Sequence, residues 1–98
     1  DEKGVDEFNR TLFAFASYNA GPAKIAQLRR DTEKMGLDPN KWFNNVEVAA
    51  AKQIGRETVQ YVSNILKYYV AYKLIEDKLD TEGPAHLSGS SKKKKRLK

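Results

Sequence analysis

The sequence predicts an all-α fold with about four helices, and three observations support this. Apolar residues recur every three or four positions in successive segments, which is the spacing of one face of an α-helix. Residue types that begin and end helices separate these segments, and no stretch shows the alternation of apolar and polar residues typical of a strand. A chain of 98 residues has room for one small domain with a thin core.

The first predicted helix begins at Asp6, because aspartate is a favourable residue at the N-cap of a helix. Its predicted buried stripe consists of Phe8, Leu12, Phe15 and Ala16. The helix is expected to end at Gly21, which tolerates the dihedral angles of a tight turn, and Pro22 suits the first position of the next helix.

The second predicted helix buries Ile25, Leu28 and Met35 and ends at Gly36. A short turn follows and leads to Trp42, which we expect to fill the core because a lone tryptophan beside a phenylalanine is more often packed than free.

A third, alanine-rich helix is expected to open near Asn44 and to close at Gly55. Asn44 with Glu47 three residues later resembles a capping box, in which two side chains satisfy the free N–H groups of a helix start.

The fourth predicted helix runs from about Glu57 to Lys78 and is apolar around most of its circumference. Such a helix belongs in the middle of a domain. We therefore expect Tyr68, Tyr69 and Tyr72 to pack in a core. Three short helices cannot easily cover so apolar a helix. We therefore expect that part of the domain is missing from this sequence.

Residues 81–98 are predicted to form a disordered basic tail, and residues 1–80 to form the folded part. The apolar periodicity ends at about Asp80, and Gly, Ser and Pro follow. Six of the 18 cations lie in the last seven residues, and the 12 others nearly balance the 13 acids. The body therefore gives no indication of a nucleic-acid surface. The tail could bind anionic polymers or headgroups, although a solvated charge run is the favoured interpretation.

The composition excludes several kinds of site. The chain has no cysteine and a single histidine, His86, so no metal site is expected, and no cofactor is implied. No apolar run approaches the ~18 residues that a membrane span requires. The first residues do not resemble a signal peptide. For a protein outside the cytoplasm, we expect the targeting sequence to lie upstream or to have been removed, and membrane association to involve only the tail or other segments.

Two motifs carry a resemblance to a known family. The run from Ala16 to Pro22 reads Ala-Ser-Tyr-Asn-Ala-Gly-Pro and resembles the Ala-x-Tyr-Asn-Ala-Gly-Pro motif of lytic transglycosylases in the goose-type lysozyme-like superfamily. The run from Glu57 to Ile65 resembles their Glu-Thr-x-x-Tyr-Val-x-x-Ile helix. Between them, Gly-Leu-Asp-Pro-Asn and Trp-Phe are similar to the membrane-bound branch, whose members carry an upstream solute-binding-like domain. The resemblance extends from about Phe8 to Ile75.

The resemblance implies that residues 1–80 are the C-terminal part of a lysozyme-like catalytic domain. Its family cleaves the bond between N-acetylmuramic acid and N-acetylglucosamine in peptidoglycan and leaves an anhydro-muropeptide end. The family's catalytic glutamate lies in a Glu-Ser-x-Phe block followed by Gly-Leu-Met-Gln, and neither block occurs in this sequence. The acid is therefore expected upstream, and the chain by itself is expected to be inactive. The resemblance also implies a periplasmic or cell-envelope protein, which we expect to be a monomer, acting on glycan strands.

The resemblance assigns substrate contact to Tyr18 and Asn19, and to Tyr61 a hydrogen bond to the catalytic acid. Asparagine can bind an N-acetyl group or a hydroxyl, and tyrosine offers a flat apolar face with a polar tip. A purely structural alternative has Asn19 capping the turn, Tyr18 packing, and Tyr61 forming part of the aromatic stripe. Two other functions remain open: a non-catalytic module that binds glycan or a partner, and a basic-tailed nucleic-acid binder.

Overall fold

The computed structural model describes the backbone of residues 4–87 and the side chains of residues 4–80. Within that range it has four α-helices, α1 (Glu7–Ala20), α2 (Pro22–Lys34), α3 (Glu47–Gln53) and α4 (Arg56–Leu87), and no strand. A wide turn, Trp42–Val46, precedes α3. The predicted all-α class with four helices is confirmed. Of the described residues, 4–66 form one compact unit, and the part of α4 from Lys67 onward belongs to a second.

The start and end of α1 follow from local chemistry, as predicted. The Asp6 carboxylate accepts a hydrogen bond from the backbone N–H of Asn9 at 2.8 Å, which is the N-cap interaction. That bond, with a second one from the Asn9 side chain, lowers the pKa of the Asp6 carboxyl. At the other end, Gly21 has φ +98°, and Pro22 occupies the first turn of α2.

The loop after α2 is held by a glycine and an arginine. Gly36 has φ +82°, and the N–H of Leu37 reaches back to the carbonyl of Thr32 at 3.1 Å, which closes the helix at its predicted end. The Arg29 guanidinium donates to the carbonyl of Pro39 and to the side chain of Asn40, each at 2.8 Å.

The core of the first unit lies between α1, α2, the Trp42–Val46 turn, α3 and the first turns of α4. Its buried members are Leu12, Phe13, Ala16, Ile25, Leu28, Trp42, Val46, Ala49, Ala50 and Val62. Trp42 is fully buried and meets the Phe13 ring edge to face at 6.4 Å. The prediction that Trp42 fills the core is confirmed.

The predicted buried stripe of α1 is partly wrong. Leu12 and Ala16 are fully buried, but Phe8 is 51% exposed and stacks on Phe43 at the surface. Asn9 and Phe13 are buried in its place, because the side chain of Asn9 faces the backbone of the Trp42 segment. The prediction that Met35 is buried is also wrong. Met35 is 39% exposed, because it lies at the C-cap of α2.

The predicted capping box at Asn44 is half formed. The Glu47 carboxylate accepts from the backbone N–H of Asn44 at 2.9 Å, as in a capping box. However, Asn44 has φ +62°, Val46 is the N-cap residue, and no side chain caps α3. The end of α3 is as expected: Gly55 has φ +92°, and its N–H donates to the carbonyl of Ala50.

Helix α4 is longer than predicted. It begins at Arg56 and continues past Lys78 to Leu87. The loss of apolar periodicity at about Asp80 therefore does not mark the end of the helix. The backbone of residues 81–87 continues α4, and the disordered basic tail predicted for residues 81–98 stays a prediction. Residues 88–98, including the basic run, lie outside the described residues.

The two parts of α4 differ in burial. Thr58 and Val62 are buried in the first unit, whereas no side chain from Lys67 to Asp80 is buried. The prediction that three tyrosines of α4 pack in a core is wrong. Tyr68 is 73% exposed, Tyr69 is 40% exposed and Tyr72 is 62% exposed. A single helix cannot cover its own apolar face, so composition alone does not make it a core helix. No helix in residues 4–87 combines the length and apolarity needed to cross a bilayer.

Candidate functional site

The last turn of α1 and the first turns of α4 bring four motif residues together. The Thr58 hydroxyl donates to the Asn19 side-chain oxygen Oδ1 at 2.7 Å. The rings of Tyr18 and Tyr61 are stacked, with centroids 6.4 Å apart and planes inclined by 23°. We call Tyr18, Asn19, Thr58 and Tyr61 the tyrosine–asparagine patch. The three site residues that the sequence indicated, Tyr18, Asn19 and Tyr61, belong to it.

Helix geometry explains why these side chains meet. Thr58 and Tyr61 are three positions apart on α4 and therefore lie on the same face. Tyr18 and Asn19 occupy the last turn of α1, directly before the break at Gly21, where the chain turns away into α2. Ala16 is fully buried beneath this turn, so the small side chain allows the helix end to approach the core closely.

Tyr18 and Asn19 do not make the contacts that the structural alternative predicted for them. Tyr18 is 85% exposed, so it is not a core residue. Asn19 is exposed, and its oxygen bonds to a side chain of another helix and not to the turn that it was suggested to cap. Tyr61 is half-buried and packs against the core, so it combines a structural role with a surface position.

The polar groups of the patch have unused capacity. Among the described residues, the two phenol hydroxyls and the Asn19 amide nitrogen make no hydrogen bond. The patch therefore presents aromatic faces beside hydrogen-bonding groups, a combination that suits an amphipathic ligand such as a sugar. None of its four side chains carries a carboxyl group, so it offers no general acid of its own.

Sequence reasoning missed Thr58 as a site residue. Its position in the Glu-Thr-x-x-Tyr motif, three residues before Tyr61, was the available signal. Its partner Asn19 lies 39 positions earlier. A single hydroxyl gives no indication of such a distant contact, so only the fold shows the pair.

A concave surface lies between α1 and α2, and no residue of the tyrosine–asparagine patch lines it. This cleft has a volume of about 310 Å³ and is lined by Arg10, Phe13, Ser17, Pro22, Ile25 and Arg29, among others. The Arg29 guanidinium lies 4.8 Å from the centre of the Phe13 ring and is already bonded to the loop after α2. Within the described residues, no cluster of three His, Cys, Asp or Glu side chains could hold a metal ion.

Comparison with curated proteins gives a consistent set of relatives. The chain is 34% identical over 112 aligned residues to the membrane-bound lytic murein transglycosylase F of Pseudomonas fluorescens strain Pf-5, which covers 96% of this chain and 23% of that protein. The protein of that name from Ectopseudomonas mendocina is 33% identical over 93% of the chain and 22% of its own length. The one from Marinobacter nauticus is 37% identical over 66% of the chain and 16% of its own length.

These matches agree with the two motifs that meet in the patch. No family model matches the chain, and no solved structure matches it. The relatives identify the family: the chain belongs to the lytic transglycosylase family. It spans less than a quarter of the length of the relatives it matches.

Proposed function

We propose that this chain supplies one wall of the glycan-binding groove of a peptidoglycan lytic transglycosylase. The observation that carries the proposal is the patch itself, in which residues of both family motifs meet through the Tyr18–Tyr61 stack and the Thr58–Asn19 hydrogen bond. The complete protein would cleave the bond between N-acetylmuramic acid and N-acetylglucosamine and form an anhydro-muropeptide.

In this proposal the exposed ring of Tyr18 packs on the apolar face of a sugar ring. Tyr61 holds the Tyr18 ring in place, because the half-buried Tyr61 ring stacks on Tyr18 and packs against the core. Asn19 binds an N-acetyl group or hydroxyl of the same sugar with the amide nitrogen that has no partner among residues 4–80. Two rigid rings contribute contact area at a low cost in conformational entropy, which suits a groove wall.

Tyr61 has a second proposed role at the catalytic acid. Glycosidic cleavage requires a carboxyl group that protonates the leaving oxygen, and in this family the same group then acts as the base that closes the anhydro ring. A phenol that donates to this carboxylate would hold its orientation and lower its pKa. The Tyr61 hydroxyl is free for such a bond within the described residues.

The proposed place of action is the bacterial cell envelope, on the periplasmic side. The relatives are named as membrane-bound and as acting on murein. The proposed partner is the glycan strand of that polymer.

A non-catalytic binding module is the second candidate, and one observation favours it. The part of α4 from Tyr68 to Leu79 exposes seven large apolar side chains, which a partner could cover: Tyr68, Tyr69, Val70, Tyr72, Leu74, Ile75 and Leu79. On this alternative, Tyr68 and not Tyr18 would dominate binding. A nucleic-acid binder is less well supported, because the cations outside the last seven residues are balanced by acids.

Calorimetric titration of the chain with soluble N-acetylated glycan strands tests the proposal. We expect binding that changes little between about 50 and about 200 mM salt, because sugars carry no phosphate charge, whereas nucleic-acid binding would weaken steeply. Tyr18→Ala should lower the affinity about tenfold, which is roughly 1.4 kcal/mol. Tyr68→Ala is the matched control, because Tyr68 is similarly exposed.

Two results would contradict the groove proposal. One is the absence of binding to glycan strands by the unmodified chain. The other is an equal loss of affinity in Tyr18→Ala and Tyr68→Ala, which would favour the exposed part of α4 as the binding surface.

A further inference from the structure

The hydrogen bond between Thr58 and Asn19 joins a buried side chain to an exposed one. Thr58 is 5% exposed and lies in the first turn of α4, whereas Asn19 is exposed at the end of α1. The Thr58 hydroxyl donates to Oδ1 of Asn19 at 2.7 Å, the usual distance for an O–H···O bond. The buried hydroxyl therefore holds one end of an amide whose other end faces away from it.

In the structure, the donated hydrogen bond from Thr58 determines which atom Asn19 presents. An asparagine amide has an oxygen that only accepts hydrogen bonds and a nitrogen that only donates them. With Oδ1 bound to Thr58, the Nδ2 group is the end available to a ligand. Without a fixed partner, the amide could turn over and present either end.

We infer that Thr58 is a positioning residue that sets Asn19 as a hydrogen-bond donor and so makes the patch selective for sugars that bear an N-acetyl group. This inference rests on the proposed function. The carbonyl oxygen of an N-acetyl group accepts hydrogen bonds and complements the Nδ2 donor. A protonated amine at the same sugar position offers only donors and cannot pair with the Nδ2 donor. The patch thus distinguishes acetylated from de-N-acetylated glycan.

The test compares two ligands and two variants. The ligands are N-acetylglucosamine trisaccharide and its fully de-N-acetylated counterpart, and the measured quantity is the ratio of their dissociation constants. Thr58→Val keeps the shape of the side chain and removes the hydroxyl. Thr58→Ser keeps the hydroxyl and removes a methyl group. All titrations use the same buffer and one moderate salt concentration, because salt screens the charge of the amines.

We expect the unmodified chain to prefer the acetylated sugar by about tenfold, which corresponds to roughly 1.4 kcal/mol. Thr58→Val should reduce the preference toward unity, and Thr58→Ser should retain it. A purely structural role of Thr58 would instead weaken binding of both sugars alike and leave the ratio unchanged. An unchanged ratio in Thr58→Val, or an equal loss of preference in Thr58→Val and Thr58→Ser, would overturn the inference.

Asn19→Asp provides a second route if Thr58→Val does not fold. A carboxylate cannot donate, so this variant should lose the preference for the acetylated sugar. Retention of the preference in Asn19→Asp would overturn the inference. The two proposals fail separately: an unmodified chain that binds neither sugar contradicts the proposed function, whereas binding of both sugars with equal affinity contradicts only the role of Thr58.

Discussion

The ring of Tyr18 lies stacked on the ring of Tyr61, with 6.4 Å between the ring centres, although the two residues belong to different helices. One ring is 85% exposed and the other is half-buried against the core. The buried member holds the exposed member in place, so the two residues have different expected sensitivities to substitution. Loss of the Tyr61 ring should affect both the fold and the patch, whereas loss of its hydroxyl should leave the fold unchanged.

Tyr61→Phe separates the hydroxyl from the ring. In the complete enzyme we expect turnover to fall by one to two orders of magnitude, about 1.4–2.7 kcal/mol in transition-state stabilisation, because the phenol no longer donates to the catalytic carboxyl. Thermal unfolding should be unchanged. The control is Tyr69→Phe, in the exposed part of α4. Equal turnover in both variants and the unmodified enzyme would assign Tyr61 to packing alone.

The 98-residue chain by itself should not cleave peptidoglycan. It contains no Glu-Ser-x-Phe block, and the patch has no carboxyl group that could serve as the acid. Purified sacculi incubated with the chain should release no soluble anhydro-muropeptides above a sample without protein. Release of such products would show that another carboxyl group performs the proton transfers.

Asn9 is expected to be important for stability. Its Oδ1 accepts from the backbone N–H of Trp42 at 2.9 Å, and its Nδ2 donates to the Asp6 carboxylate at 3.0 Å. Asn9→Ala leaves a buried N–H without a partner, which should lower the free energy of unfolding by about 1–3 kcal/mol. Urea denaturation measures this change. Asn64→Ala, at an exposed position, should change stability by less than about 0.5 kcal/mol; a similar loss in both variants would contradict the role of Asn9.

Asp6 should make stability depend on pH at the acid end. Hydrogen bonds from Asn9 lower the pKa of its carboxyl in the folded chain, so the unfolded chain binds the proton more readily. This contribution is complete above the unfolded pKa of roughly 4 and is lost as the pH falls through the lower, folded pKa.

The matched variant for this prediction is Asp6→Asn, which keeps an acceptor suited to the N-cap and removes the titrating group. Urea denaturation at neutral and at acid pH should show a smaller acid-induced loss of stability in Asp6→Asn than in the unmodified chain. Equal losses would indicate that other carboxyl groups account for the whole effect.

The sequence predicted features that depend on neighbouring residues. Asp6 caps α1, Gly21 has a positive φ, and Pro22 begins α2, because each depends on the backbone within one turn. The two motifs indicated Tyr18, Asn19 and Tyr61 as site residues but not their contact, and the fold brings Tyr18 and Asn19 next to α4.

Features that depend on distant partners were predicted less well. Tyr68 and Tyr72 have the spacing of a buried stripe, yet they are exposed, because burial requires a second surface that periodicity does not specify. The buried position of Asn9 follows from the Trp42 backbone N–H, and the role of Thr58 follows from Asn19. Neither partner can be identified from the spacing of residues along the chain.

The most direct test of the glycan-groove proposal is a map of where the sugar binds. Heteronuclear NMR spectra of the isotopically labelled chain, recorded during titration with N-acetylglucosamine trisaccharide, would show which amide signals change. We predict that the changes centre on Tyr18, Asn19, Thr58 and Tyr61, and that the Asn19 side-chain amide shifts with them. Changes confined to Tyr68–Leu79 or to the cleft between α1 and α2, or spectra that do not change, would contradict the proposal.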